Sequence, residues 1–121
     1  MNKRILVVED HEDNRQILRD LLGSANYEMI EAWDGEAAVK TAAVEQPDLI
    51  LMDIQLPGID GYEATRRIKA DPKLKTIPII AVTSYALSGD EDKARAAGCD
   101  AYVAKPYSPR KLMGKIREYL R

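Results

Sequence analysis

Short apolar runs recur along this chain, each breaking abruptly into polar or acidic residues, and helical patterns fill the intervals between them. Lys3 to Val8 (KRILVV) reads as a first strand. Asp13 with Gln16 resembles a capping box, after which Ile17, Leu18, Leu21 and Leu22 recur at helical spacing until Gly23 stops the helix. Tyr27 to Ala32 is a weaker strand, and Asp34, Gly35 and Glu36 open an Ala-rich helix that runs to about Glu45. The run Leu49 to Met52 then ends in Asp53 and a loop rich in Pro and Gly. Asp60 with Glu63 marks a third helix that Asp71 and Pro72 terminate. Ile79 to Val82 is another strand, closed by Thr83, Ser84 and Tyr85. Ser88 with Glu91 opens a fourth helix that Gly98 closes, anchored only by Leu87 and alanines. Ala101 to Ala104 is the fifth strand, and Ser108 with Pro109 begins a last helix whose stripe is Leu112, Met113, Ile116 and Leu120.

Five strands alternating with five helices predict an α/β domain: a doubly wound, five-stranded parallel sheet in the order 2-1-3-4-5. At 121 residues the whole chain, 1–121, is expected to be one domain. Cys99 is the single cysteine, so no internal disulfide can form, which suits a reducing compartment. The basic start, Met1 to Arg4, is followed by too short an apolar run for a signal peptide, and no stretch is long enough to span a bilayer. A cytoplasmic protein without membrane contact is expected. The formal net charge of −2, with signs mixed throughout, gives no footprint for nucleic acid.

Ligands of open parallel sheets bind beyond the carboxyl ends of the strands, near the point where the winding reverses. Strand one delivers Glu9 and Asp10 there, strand three Asp53, strand four Thr83 and Ser84, and strand five Lys105. Three carboxylates brought together repel one another and raise each other's pKa unless a cation sits among them. Mg²⁺ answers that need with oxygen ligands and positions left open for phosphate oxygens. Together the groups suit phosphoryl transfer onto a carboxylate, with Asp53 as nucleophile and Thr83 and Lys105 holding phosphoryl oxygens. No base is required, because a carboxylate is ordinarily ionised near neutral pH. His11, the single histidine, has no step to perform and reads as a polar loop residue.

The acidic pair after ILVV, Asp53 within LILMDIQLPGIDG, Thr83 after IIAV and Lys105-Pro106 after DAYVA resemble the receiver domain of bacterial two-component response regulators over essentially the whole chain. The resemblance is greatest to stand-alone, single-domain receivers of the DivK type, and receivers embedded in hybrid histidine kinases carry similar segments. It implies a flavodoxin-like receiver fold, phosphorylation of Asp53 by a phosphohistidine, and Mg²⁺ held by Glu9, Asp10, Asp53 and the backbone carbonyl of Gln55. It also implies that Thr83 and Lys105 contact the phosphoryl group and that the Lys105–Pro106 bond is cis. Thr83 and Tyr102 would form the switch, although Tyr102 also reads as a strand residue with its tip in water. Gln55 and Tyr85 stand where the family tunes phosphate lifetime, and Ser84 stands where the family more often has Ala or Gly.

Such a protein is a self-phosphorylating and self-dephosphorylating switch rather than a turnover enzyme. Its expected partners are a histidine kinase or histidine phosphotransfer protein and a downstream protein target met through the fourth helix, fifth strand and fifth helix. No output domain follows in this chain, so protein contact would carry the signal. The last helix is basic, with Arg110, Lys111, Lys115, Arg117 and Arg121 against Glu118, which suits either its own dipole or a docking surface. A small phosphatase of the haloacid dehalogenase type would need an acid where Gln55 stands. A flavodoxin-like cofactor carrier would need a Ser/Thr-rich loop where Glu9 and Asp10 stand.

Overall fold

The computed structural model describes residues 2–83 and 90–120. Among these, five strands alternate with five helices: β1 (Arg4–Val8), α1 (Glu12–Ser24), β2 (Glu28–Ala32), α2 (Gly35–Glu45), β3 (Leu49–Asp53), α3 (Gly61–Ala70), β4 (Ile79–Thr83), α4 (Asp90–Ala97), β5 (Ala101–Ala104) and α5 (Pro109–Tyr119). The strands are all parallel and form one sheet in the order β2-β1-β3-β4-β5. Ser84, Tyr85, Leu87 and Ser88 lie outside the described residues.

Strand alternation divides the core into two layers. Ile5, Val7, Leu49, Leu51, Ile80 and Val103 pack with Leu18, Leu22, Leu112, Met113 and Ile116 of α1 and α5. Leu6, Val8, Ile50, Met52, Ile79 and Ala81 point the other way, toward Ala38 and Ala42 of α2, Ala64 and Ile68 of α3, and Ala94 of α4. Every residue of β3 and β4 is buried, as central strands covered on both faces require. The edge strand β2 is only partly covered, which explains its weaker apolar signal.

Asp34, Asp60 and Ser108 cap their helices through side-chain oxygens that accept from the amides of Ala37, Glu63 and Lys111. The start of α1 departs from expectation. Asp13 is not its cap: the helix begins at Glu12, His11 occupies the N-cap position without a side-chain bond, and Glu12 and Asp13 both lie in the first turn. Carboxylates there favour the positive end of the helix dipole without a capping box. Nor does Gly23 end the helix, which continues to Ser24 and turns at Asn26, whose φ is +66°. Ile17 is 57% exposed while Arg15 is buried, so the covered face of α1 is rotated away from the purely apolar stripe.

Gly61 shows how tightly the end of β3 is seated. Its amide donates to the carbonyl of Ile54, and a Cβ added to it would stand 2.3 Å from the carbonyl oxygen of Asp53 and 2.7 Å from Cα of Ile54. Gly61→Ala is therefore expected to destabilise the protein by about 1–3 kcal/mol in urea unfolding. Gly23→Ala, with nothing within 4 Å of the added carbon, should be neutral or stabilising by up to about 1 kcal/mol.

Candidate functional site

The two-residue period that builds the core also assembles the site. The alternation, carried to the last residue of β3 and one step past the ends of β1 and β5, puts Asp53 after Leu51, Glu9 after Val7 and Lys105 after Val103, all on the face covered by α1 and α5. Backbone bonds hold these ends in place: Glu9 N–H donates to the carbonyl of Ala32 and Lys105 N–H to that of Thr83. One carboxylate oxygen each from Glu9, Asp10 and Asp53 lies within 4.8 Å of the others. Lys105 Nζ stands 3.4 Å from Glu9 Oε1 and 3.4 Å from Asp53 Oδ2. The Lys105–Pro106 peptide bond is cis.

Glu9 is 3% exposed and Asp53 6%. Asp53 Oδ1 accepts from the backbone amide of Gln55, which places the Gln55 backbone beside the cluster, and the Gln55 side chain is exposed. Asn14 Nδ2 donates to Glu9 Oε1 at 2.5 Å, and the Asp10 amide donates to Glu9 Oε2 at 3.0 Å. Asp10 Oδ1 is buried with no hydrogen-bond partner.

The electrostatics follow from this crowding. Burial, and then the adjacent Glu9, push the Asp53 carboxyl up to about 7 despite the Gln55 amide and Lys105. Without a cation, Asp53 is therefore held above the ordinary carboxylate range that the sequence suggested for it. Burial raises Glu9 as well, but its contact with Asp53, the Lys105 charge and Asn14 outweigh that, and Glu9 is held below the usual carboxylate range. Of the two, Asp53 is the carboxyl that holds its proton to the higher pH. Burial works against the Lys105 charge, yet Asp53 and Glu9 hold the ammonium above its ordinary range. An Asp10 oxygen that accepts no hydrogen bond, and three clustered acids with Lys105 beside them, fit a hard divalent cation, which would take up that oxygen and offset the crowded negative charge.

Thr83 is buried, and its side chain belongs to the opposite face of the sheet. Ala81 pairs with Tyr102 and Thr83 with Ala104, so Thr83 and Tyr102 share a face, two residues apart in register. Tyr102 is half-buried against the α2–α3–α4 layer. Tyr85 lies outside the described residues. His11 is exposed, 3.8 Å from Asp10. A cavity of about 500 Å³ opens onto Asp53 and Lys105 between α1 and α5, with Asn14, Ile17, Pro106 and Tyr107 among its lining. Sequence reasoning missed Asn14 and Arg15, two polar residues in the early turns of the helix that follows the acidic pair.

A parallel sheet in the order 2-1-3-4-5 with three acids and a lysine at its carboxyl edge defines a doubly wound α/β domain with an acidic site at its strand ends. The chain belongs to the response regulator receiver domain family, which it matches over residues 5–117. It is 45% identical over 120 residues to the polar-differentiation response regulator DivK of Brucella ovis, spanning 99% of this chain and 98% of that protein. The receiver domain of sensor histidine kinase PA1611 from Pseudomonas aeruginosa PAO1, solved with a magnesium ion coordinated in its active site cleft, superposes with a TM-score of 0.92 at 38% identity, covering 99% of this chain and 98% of that one. The chemotaxis response regulator CheY4 of Vibrio cholerae gives a TM-score of 0.92 at 25% identity, covering 98% and 99% of the two chains. No helix among the described residues is long and apolar enough to cross a membrane.

The raised Asp53 pKa has a defined consequence for cation-free protein. The unfolded carboxyl ionises near 3.8 and the folded one near 7, so this group's contribution is fully present below the unfolded value and is lost as pH rises through the folded one. Asp53→Asn removes that loss. In the presence of a chelator the variant should gain stability over wild type between pH 4.5 and 7.5, by a few kcal/mol at the upper limit. Urea unfolding at the two pH values measures the change, and a difference that stays constant with pH would contradict it.

Proposed function

We propose that this receiver domain is a phosphorylation-activated switch of a two-component phosphorelay, with Asp53 as the phosphoacceptor. The observation that carries the reading is the convergence of Glu9, Asp10, Asp53 and Lys105 within one largely buried cluster containing a carboxylate oxygen that accepts no hydrogen bond. A carboxylate oxygen of Asp53 attacks phosphorus in a phosphohistidine, the P–N bond breaks, and the imidazole leaves with the bonding pair and takes up a proton. Lys105 and the Thr83 hydroxyl hold the transferred phosphoryl oxygens, while the buried floor of β3 fixes the attacking atom in place. A bound Mg²⁺, held by Glu9, Asp10, Asp53 and the backbone carbonyl of Gln55, supplies the positive charge that keeps Asp53 ionised and balances the incoming phosphoryl group.

The phosphoryl donor is a histidine kinase or a histidine phosphotransfer protein. The signal leaves by protein contact: Thr83 turns toward the phosphoryl group, Tyr102 follows, and the surface of α4, β5 and α5 is remodelled for a downstream partner. Support comes from the face that Thr83 and Tyr102 share, two residues apart in register, and from the 45% identity to a response regulator along its length. The phosphoryl group remains on the protein until water removes it, so this is a switch and not a turnover enzyme. Gln55 and Tyr85 set the lifetime.

Incubation with Mg²⁺ and a small phosphoramidate donor, read by intact mass, should add one phosphoryl group labile to base and hydroxylamine. Asp53→Asn should take none, and modification of that variant would disprove the assignment. Tyr85→Ala should lose the group faster than wild type, because a smaller side chain hinders water less; equal decay would remove Tyr85 from the account.

A further inference from the structure

We propose that Arg15 is a positioning residue for the acidic pocket, its guanidinium holding the Glu9–Asp10 peptide so that both carboxylates face a divalent cation. The inference rests on the reading of Glu9, Asp10 and Asp53 as cation ligands. Arg15 is only 5% exposed. Its Nη1 donates to the backbone carbonyl of Glu9 at 2.8 Å and its Nη2 to Glu12 Oε2 at 2.7 Å. Nε lies 3.3 Å from Glu31 Oε1, and Trp33 covers the group, with Cζ 4.7 Å from the ring centroid.

The bond to the Glu9 carbonyl is the one that reaches the pocket. That carbonyl belongs to the peptide joining Glu9 to Asp10, so any rotation of it turns both acids. The Glu9 amide is fixed from the other side by the carbonyl of Ala32, the residue before Trp33. Asp10 N–H donates to Glu9 Oε2, which makes the two acids move as a unit. Glu12, Glu31 and the Trp33 face compensate the buried charge, leaving one arm of the guanidinium for a neutral carbonyl. A planar fork bonds the Glu9 carbonyl and Glu12 together while its Nε, which makes no hydrogen bond, keeps the charge beside Glu31; a lysine ammonium on a single flexible stem cannot hold all three positions.

Arg19 provides the control, since it pairs with the same Glu12 and Glu31 and has no bond to Glu9 among those described. Calorimetric titration with Mg²⁺ alone, well below each variant's Tm, should show Arg15→Lys and Arg15→Met binding roughly 10-fold more weakly than wild type, and Arg19→Met binding like wild type. An Arg15 that merely stabilises the fold would lower Tm and leave Mg²⁺ affinity unchanged, which overturns the proposal. Equal weakening in Arg19→Met overturns it too, because net charge would then suffice. If Arg15→Met does not fold, Arg15→Lys decides. Wild type that binds no Mg²⁺ also refutes the positioning role. Phosphorylation is scored separately: a wild type that binds Mg²⁺ more tightly than Arg15→Lys but accepts no phosphoryl group from phosphoramidate refutes the signalling reading and leaves the positioning role standing.

Discussion

Repulsion among Glu9, Asp10 and Asp53 is the constraint to which the surrounding structure responds. Three acids share a space in which one carboxylate oxygen from each lies within 4.8 Å of the others, and Lys105 is the cation standing against two of them. Left alone, such a cluster ionises less readily than free carboxyls do, and the buried Asp53 is the group pushed up. Any charge that enters, whether a divalent cation or a phosphoryl group with its counter-ion, would change the balance at the carboxyl ends of β1, β3 and β5.

Holding acids in that arrangement takes a stiff frame, and the parallel sheet supplies it. The strands β3 and β4 are buried throughout, so the end of β3 cannot rise or slide without breaking both core layers. Gly61 lets α3 start directly against the carbonyl of Asp53, and Asp60 caps that helix, fixing the loop behind the reactive residue. The alternation of the strands then sorts the functions. Asp53, Glu9 and Lys105 fall on the α1–α5 side, where a cavity gives access, while Thr83 and Tyr102 fall on the other.

Much of this was legible in the sequence because it depends on local rules. Apolar runs named the five strands, Asp34, Asp60 and Ser108 announced their caps, and a parallel sheet obliges its strand ends to share one edge. What was not legible depends on packing between elements. The apolar residues of α1 suggested that Ile17 points inward, yet the helix turns so that Arg15 is buried beneath Trp33, because the carbonyl of Glu9 and the carboxylates of Glu12 and Glu31 are there to receive it. Asp13 and Gln16 formed a plausible cap by spacing alone, but the chain leaves β1 already turning and begins its helix at Glu12. The raised pKa of Asp53 was hidden for the same reason, since it depends on how deeply the group is buried and how near Glu9 comes.

The arrangement also explains why a change at Asp53 can be felt elsewhere in a rigid domain. A buried cluster cannot lower its electrostatic energy by drawing in solvent, so a new charge must be met by groups that can still move. Lys105 is tied through its backbone amide to the carbonyl of Thr83, so the two residues proposed to hold a phosphoryl group are linked to each other across β4 and β5. Thr83 and Tyr102 share one face of that strand pair, two residues apart in register. In the proposed switch, a shift of the Thr83 hydroxyl toward the site would open space on the face that carries the half-buried Tyr102, and close-packed interiors fill vacated space by moving a neighbour rather than leaving a void. Electrostatic demand at the edge of the sheet would thereby become a change of packing on its opposite face, next to a fourth helix held among the described residues by Ala94 and Ala97. Those small buried side chains give the described part of that helix little area to lose when it shifts.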